Sequence, residues 1–245
     1  MREYYKGSLN DIDLTKEQEV LLQEPDCGFD GILDFAKFAP SAQTIKLNIV
    51  RPLNSANIKF GENVQNFSLK HRNGMAFCSI SGDWNFAEKI PNLREICLKN
   101  CNMKDVTYLE FGPNVRRVFM VHWDDFASIP NLDRGWKFDK IAPNAEVFDM
   151  SMTEFAGLSL LYFGPNAKKI ALHDCYNVSM RAPGAQIVDL RNSSIRKVEI
   201  NPAAEVLISD RRKNTDISLK IKDGVLRLHE AIYLGGYSYF RDITK

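Results

Sequence analysis

Histidines and cysteines are the residues of this sequence best suited to bind a metal or to act as nucleophiles. Three of the four histidines, His71, His122 and His173, recur at intervals of 51 residues. If this interval reflects stacked structural repeats, His71 and His122 are two strands, or about 10 Å, apart. A single zinc ion with bonds of about 2 Å cannot bridge that gap. The spacing therefore favours histidines at the surface or rim, and we predict no metal and no other cofactor.

The five cysteines show no zinc-binding spacing. Cys97 and Cys101 are four residues apart, but the apolar pattern described below makes Cys101 and Cys175 inward-facing turn residues. Burial keeps such a thiol protonated and unreactive. The sequence also contains no G-x-S-x-G, G-x-x-x-x-G-K, G-x-G-x-x-G or H-E-x-x-H motif. We therefore expect no catalytic residue and no enzymatic activity.

Composition and charge indicate an ordered protein without a general preference for nucleic acid. The 245 residues are 44% hydrophobic and 26% charged, with a formal net charge of +1. No stretch approaches about 18 uninterrupted apolar residues, and no apolar segment follows the N-terminus. We therefore expect no membrane span, no signal peptide and a reducing, cytoplasmic location. Delivery into a host cell without such a signal is the alternative.

A nine-position apolar pattern recurs along most of the chain. In the pattern L-x-x-L-x-L-x-x-(N/C), positions one, four, six and nine are filled by Leu93, Ile96, Leu98 and Cys101. Copies begin at residues 42, 64, 93, 115, 145, 167 and 185, with a weaker copy at 203 and a candidate copy at 217–219. One unit of about 20 residues cannot bury its apolar face alone, so stacked units share one core.

A longer repeat of 51 or 52 residues is superimposed on these copies. Residues 60–64, Phe-Gly-Glu-Asn-Val, return as Phe-Gly-Pro-Asn-Val at 111–115 and as Phe-Gly-Pro-Asn-Ala at 163–167. The long steps share Trp-x-Phe at 84–86 and 136–138, and we expect both tryptophans to pack inward. The Pro-Asn pairs before the predicted strands indicate corners of each repeat, since proline fixes φ and asparagine tolerates turn geometry.

Residues 90–101, IPNLREICLKNC, resemble a leucine-rich repeat, and the double patterns at 106–118 and 158–170 are similar to the BspA-like (Treponema-type) subfamily. The resemblance covers residues 33–210. It implies an α/β repeat fold rich in β-structure: a leucine-rich-repeat-like solenoid with parallel strands on the concave face and irregular coils on the convex face. We predict an N-terminal cap (1–37) with a short helix after the capping box at 15–18, a solenoid of about eight coils (38–220) and a C-terminal cap (221–245).

Positions three, five and seven of the pattern point to the concave face, and leucine-rich repeats mostly bind proteins. The middle coil presents Arg117, Phe119 and Val121 there. An aromatic side chain and an arginine in a polar surround are typical of protein interfaces. We therefore predict a protein partner, and neither nucleic acid nor a membrane. The predicted binding residues are Lys70, Lys99, Arg117, Phe119, Val121, His122, Trp123 and Asp149.

The residues leave two other functions open. The chain could be an enzyme with an unfamiliar site or the recognition part of a larger enzyme, and a thiol-reactivity probe would then detect an unusually reactive cysteine. It could also be a structural protein that self-associates, which light scattering at several concentrations would detect. Within the binding hypothesis, a bacterial effector that engages a host protein is suggested by analogy alone. Binding through the convex side is the alternative to the concave face.

Overall fold

A computed structural model describes residues 3–4, 14–23, 32–50, 52–71, 77–122, 135–153, 160–176, 178–193, 195–210 and 215–220. These residues form twenty β-strands, three single-turn α-helices and a 3-10 helix at Ser55–Asn57, with the strands arranged in one large sheet and three small ones. The fold is therefore rich in β-structure, with mostly parallel strands and few helices. None of the helices in these segments is long and apolar enough to cross a membrane.

The main sheet has eleven strands whose order in space follows their order in the chain. They are β1 (Glu3–Tyr4), β2 (Glu19–Gln23), β4 (Thr44–Ile49), β7 (Asn66–His71), β9 (Glu95–Lys99), β11 (Arg117–Val121), β13 (Val147–Asp149), β15 (Lys169–Ala171), β17 (Ile187–Asp189), β19 (Glu205–Asp210) and β20 (Thr215–Lys220). Strands β1 to β19 pair in parallel, whereas β20 pairs antiparallel with β19. Each copy of the apolar pattern therefore lies beside the preceding copy.

The register of the strands confirms the alignment of the repeats. The residues at position four are register partners from strand to strand, and all of them are buried: Ile45, Phe67, Ile96, Val118, Phe148, Ile170 and Val188. Positions one and six of the same copies are also buried, and these side chains belong to one hydrophobic cluster. Because equivalent side chains stack on one another, the core runs without interruption beneath the main sheet.

The segments between the main strands contain three smaller parallel sheets. These consist of β3 (Leu33–Asp34) with β6 (Ile58–Lys59), of β5 (Leu53–Asn54), β8 (Cys78–Asn85) and β10 (Cys101–Glu110), and of β12 (Gly135–Lys137), β14 (Leu160–Tyr162), β16 (Val178–Ala182) and β18 (Ile195–Ile200). The prediction of irregular coils in these segments was wrong. Buried residues recur along them as well, such as Cys101, Met103, Val106 and Leu109 of β10. Their spacing departs from the period of two of a regular strand, because the register of β10 against β8 shifts twice.

The longer repeat corresponds to three equivalent single-turn helices, α1 (Phe35–Phe38), α2 (Phe86–Lys89) and α3 (Phe138–Ile141). The first residue of each helix is a buried phenylalanine that packs against the phenylalanine of a Phe-Gly-x-Asn motif. The ring centroids are 6.2, 6.0 and 5.2 Å apart in the pairs Phe35–Phe60, Phe86–Phe111 and Phe138–Phe163. Trp84 and Trp136, which precede α2 and α3, are buried as predicted.

Asparagines at the corners connect successive repeats. The side-chain amide of each donates a hydrogen bond of 2.8–3.1 Å to a backbone carbonyl of the preceding repeat, in the pairs Asn63–Pro40, Asn92–Glu62, Asn114–Pro91, Asn144–Pro113 and Asn166–Pro143. The asparagines of the Pro-Asn pairs therefore hold adjacent repeats together at the corners. This contact satisfies one backbone acceptor per repeat where the chain enters a main strand.

The two ends of the main sheet differ from the predictions. The predicted N-terminal helix was wrong, because residues 19–23 form strand β2 in register with β4. Val20 and Leu22 are buried and Leu21 is on the opposite side, which is the period of two of a strand. At the other end, β20 is antiparallel and so is not a further parallel copy at 217–219. The predicted C-terminal cap at 221–245 lies outside the described residues.

Candidate functional site

The face of the main sheet that is turned away from the core carries positions three, five and seven of the repeats. On β9 and β11 these positions are exposed or half-buried, whereas positions four and six between them are buried. The alternation follows from strand geometry, in which successive side chains point to opposite sides of a sheet. We call this surface the exposed face. Its side chains can change without altering the core.

Strand β11 places three of the predicted binding residues on the exposed face. The side chain of Arg117 is exposed, while Phe119 and Val121 are half-buried. Phe119 is in register with Cys97 on β9 and with Asp149 on β13, and both neighbours have shorter side chains than its ring. The ring is therefore the largest side chain at position five on these three strands.

Two lysines extend this group on the neighbouring strands. Lys70 on β7 and Lys99 on β9 are exposed register partners, and Lys99 is in turn the partner of Val121. At the opposite end of β9, Glu95 Oε2 lies 3.4 Å from Arg117 Nη1. An exposed ion pair of this kind contributes little to stability. The structure thus brings Lys70, Lys99, Arg117, Phe119, Val121 and Asp149 onto one face of four adjacent strands.

The remaining predicted residues have different surroundings. Asp149 Oδ1 accepts hydrogen bonds from the backbone N–H and the hydroxyl of Ser151, at 3.1 and 2.6 Å. His122 lies at the turn after β11, where its Nδ1 is 2.9 Å from Asn100 Oδ1 and its ring centroid is 5.1 Å from that of Phe77. Trp123 lies outside the described residues. His122 therefore has contacts that hold the turn.

A depression of about 260 Å³ on the exposed face adjoins this group. It is lined by Glu19, Thr44, Lys46, Asn66, Phe67, Ser68, Glu95 and Cys97. Lys46 Nζ donates a hydrogen bond of 2.6 Å to Glu19 Oε1, which lowers the pKa of Glu19. Burial raises the pKa of the Cys97 thiol, so this thiol is protonated at neutral pH. Sequence reasoning assigned residue 19 to the short helix predicted after the capping box and missed its place here, because the three consecutive apolar residues at 20–22 show no alternation typical of a strand.

A second depression, of about 490 Å³, lies where strands β7, β9 and β11 begin. It is lined by Gln65, Asn92, Arg94, Asn114 and Arg116. Arg116 Nη1 donates a hydrogen bond of 3.0 Å to the backbone carbonyl of Asn144. Arg94 has no ion-pair partner in the described part of the chain. Sequence reasoning missed this groove, although the Pro-Asn pairs mark the corners that form it.

The cysteines predicted to face inward, Cys101 and Cys175, are buried, which confirms that prediction. Cys101 Sγ lies 3.1 Å from Cys78 Sγ without a bond between them. Burial, and then the neighbouring Cys78, raise the pKa of Cys101 well above its usual value. Burial likewise raises the pKa of Cys175 to about 12. These buried thiols are therefore protonated at neutral pH.

The periodic histidines do not converge on one point. His122 contacts Asn100, whereas His173 Nδ1 lies 2.9 Å from Asp174 Oδ2 of its own turn. Within the described segments, no group of three or more histidine, cysteine, aspartate or glutamate side chains is close enough to hold a metal ion.

The exposed face and its adjoining groove thus present cations, amides and one aromatic ring on a continuous sheet. Such groups contact carboxylates, backbone amides and apolar side chains of other molecules. In comparisons with known proteins, no family model, no curated protein and no solved structure matches this chain.

Proposed function

We propose that this chain is a leucine-rich-repeat-like solenoid, similar to the BspA-like subfamily, that binds another protein through the exposed face of its main sheet and is not an enzyme. The main sheet forms the concave side of this solenoid. The observation that carries the proposal is that Lys70, Lys99, Arg117 and Phe119 share one face of adjacent strands, while the buried core is built from other positions.

The order of the strands supports the solenoid. Each main strand from β2 to β17 pairs with the preceding and the following copy of the repeat, and the order in the sheet follows the chain. In repeat proteins each unit contacts only its neighbours, and the stacked units provide an extended surface for binding. The sheet fixes the backbone of such a surface, so binding does not require the main chain to become ordered.

The chemistry of the exposed face supports a protein ligand. Tryptophan, tyrosine and arginine are enriched among residues that dominate binding energy, and phenylalanine is enriched in protein interfaces. Phe119 is half-buried between shorter neighbours, and Arg117 projects beside it with an exposed guanidinium group. We place Phe119 at the centre of the contact and Arg117 at its edge.

The thiols favour a reducing location for this function. The 245 residues include only five cysteines, an odd number without the spacing of a disulfide framework. Small secreted domains that depend on disulfides are much richer in cysteine. We therefore propose that the protein works in a reducing compartment, such as the cytoplasm.

Two double variants and a capture experiment test the binding function. The test variant is Arg117→Ala with Phe119→Ala. The matched control is Lys104→Ala with Thr107→Ala, two exposed residues of β10 in a small sheet. Proteins captured from the source cells by the immobilised wild-type chain are then produced in pure form, and their Kd values are measured by calorimetry for all three chains.

We expect at least one purified protein to bind the wild type and the control equally. Its affinity for the test variant falls by about 2 kcal/mol or more, roughly thirtyfold, because truncation of central interface residues has this effect. Equal affinity for the test variant would show that the exposed face is not the binding surface. If no purified candidate binds the wild type, the binding function itself is wrong.

A further inference from the structure

Basic side chains are concentrated on three neighbouring strands of the main sheet. In the three repeats that contain β7, β9 and β11, we consider the exposed-face positions three, five and seven together with position two, the residue just before each strand. These residues include five cations and one carboxylate, a net charge of +4. The whole chain has a net charge of only +1. In the next repeat, which contains β13, Glu146 and Asp149 occupy equivalent positions, so the concentration ends there. We call the five cations the basic patch: Lys70, Arg94, Lys99, Arg116 and Arg117.

Four of the five cations have no carboxylate partner in the described part of the chain. Lys70 and Lys99 are register partners on β7 and β9. Arg94 and Arg116 are on adjacent repeats, since Arg116 N–H donates to the backbone carbonyl of Arg94 at 2.8 Å. Arg117 has an acidic neighbour, Glu95, within ion-pair distance. Arg116 is next to Glu146 of the following repeat, but the carboxylate of Glu146 forms its ion pair with Lys168. Like charges directly opposite one another on adjacent strands repel, and a bound anion would relieve this repulsion.

The same positions elsewhere in the sheet show that the repulsion is not imposed by the fold. Glu146 and Lys168 occupy position two of the next two repeats, and their side chains form an ion pair of 2.9 Å. Opposite charges can therefore be accommodated at this position. Arg94 and Arg116 instead leave two cations next to each other at the groove of about 490 Å³.

We propose that the basic patch binds an acidic segment of the partner protein, with aspartate or glutamate carboxylates held by Arg94 and Arg116 in this groove. This inference rests on the proposed protein-binding function. The planar guanidinium group donates two parallel hydrogen bonds to a carboxylate, which makes arginine well suited to this contact. Gln65, Asn92 and Asn114 add amide groups to the walls of the groove.

The dimensions of the patch fit an extended peptide. Arg94 and Lys99 belong to the same repeat and are five residues apart, or about 16 Å along an extended strand. A partner segment of about five extended residues covers that distance. One segment can therefore contact the arginines at one end of β9 and the lysines at the other.

Fluorescence anisotropy with labelled probes whose net charges are equal in magnitude tests the proposal. The probes are an oligo-glutamate peptide, an oligo-lysine peptide and single-stranded DNA. The test variant is Arg94→Gln with Arg116→Gln. The control variant, Lys104→Gln with Lys137→Gln, loses the same charge from exposed residues of β10 and β12. Circular dichroism establishes that each variant folds. If a variant does not fold, the relative affinities of the wild type for the three probes test the proposal.

We expect the wild type to bind oligo-glutamate and not oligo-lysine, with affinity that falls as salt is added. The test variant binds oligo-glutamate about tenfold more weakly or worse, because two charge-assisted contacts are lost. The control variant binds it as the wild type does. Absence of oligo-glutamate binding, or an equal loss in both variants, overturns the proposal.

Two further results separate this inference from others. Tighter binding of the DNA than of oligo-glutamate, lost in the test variant, would make the patch a nucleic-acid site and overturn the proposal. The second result comes from affinity measurements with the purified partner from the capture experiment. If Arg117→Ala with Phe119→Ala weakens that partner but Arg94→Gln with Arg116→Gln does not, the protein-binding function stands and the acidic-segment inference fails alone.

Discussion

Asn100 and His122 occupy the same position at the ends of β9 and β11, and Asn100 Oδ1 accepts a hydrogen bond of 2.9 Å from His122 Nδ1. Both have left-handed backbone, with φ angles of 54° and 58°. Met152, Asp174 and Asn192 continue the series at position eight of the next three repeats. Left-handed backbone costs an L-residue roughly 1–2 kcal/mol, so packing and hydrogen bonds at these turns must hold it.

A double-mutant cycle measures how much the Asn100–His122 contact contributes. Asn100→Ala, His122→Ala and the double variant are compared with the wild type by urea unfolding. We expect a coupling free energy of about 1 kcal/mol, because a neutral hydrogen bond contributes this order of stability. Asn100 is buried, so its single variant is the more destabilised of the two. Additive single effects would contradict a direct interaction.

The repeated Phe-Gly-x-Asn motif provides a matched pair of glycine variants. Gly112 has a φ of +95°, and a Cβ there would lie 3.0 Å from the Cβ of Ala87. Gly61 occupies the same place in its motif without a positive φ, and a Cβ there would make ordinary contacts at 3.6 Å. We expect Gly112→Ala to lower the free energy of unfolding by about 1–2 kcal/mol. Gly61→Ala should leave it nearly unchanged, and equal losses in thermal or urea unfolding would refute the distinction.

The alignment of the core could be predicted from the sequence because the same constraint recurs many times. Position four is buried on every main strand from β4 to β17, and Trp84 and Trp136 repeat one packing arrangement. The weakest copy shows the limit of this reasoning. The pattern placed Ala203 at position one, but Ala203 is exposed and Ala204 is buried in its stead. Only two strongly hydrophobic residues define this copy. A corner that is one residue shorter is then enough to move the buried first position from Ala203 to Ala204.

Strand β2 and the groove at Arg94 and Arg116 could not be predicted for different reasons. Residues 15–22 match a helix-capping motif followed by apolar residues, and only pairing with β4 selects the strand. The groove combines residues from three repeats at position two and at the corner asparagines. The apolar pattern assigns no face to those positions, so their convergence depends on how the repeats stack.

Met152 offers a test of strain at the left-handed turns. Its φ is 59°, and its side chain is 53% exposed, so little packing is lost on truncation. Met152→Gly should raise the free energy of unfolding by about 0.5–1 kcal/mol, since relief of the left-handed penalty exceeds the entropy cost of glycine. Met152→Ala retains the penalty and serves as the control. Equal stability of the two variants in urea would show that this turn is not strained.

The thiol of Cys175 forms hydrogen bonds both with the preceding repeat and within its own repeat. Its Sγ donates to the backbone carbonyls of Met150 and His173, at 3.2 and 3.5 Å. Ser193, one repeat later, makes the equivalent bonds with its hydroxyl to Leu172 and Arg191. Because serine fits this position, we expect Cys175→Ser to retain more stability than Cys175→Ala. The alanine variant should lose about 1–2 kcal/mol through the missing hydrogen bonds and the small void.

The same residue predicts how stability changes in alkali. Burial raises the pKa of Cys175 from 9.0 to about 12, so the folded protein keeps the thiol proton while the unfolded chain loses it above pH 9.0. The contribution of this thiol is constant below pH 9.0 and is lost as the pH rises to about 12. The Cys175→Ser variant lacks this titration, so the wild type loses stability relative to it by at most about 1.4 kcal/mol per pH unit. Urea unfolding of both proteins across that range measures the difference, and a difference that does not vary with pH would show that the thiol is accessible to water.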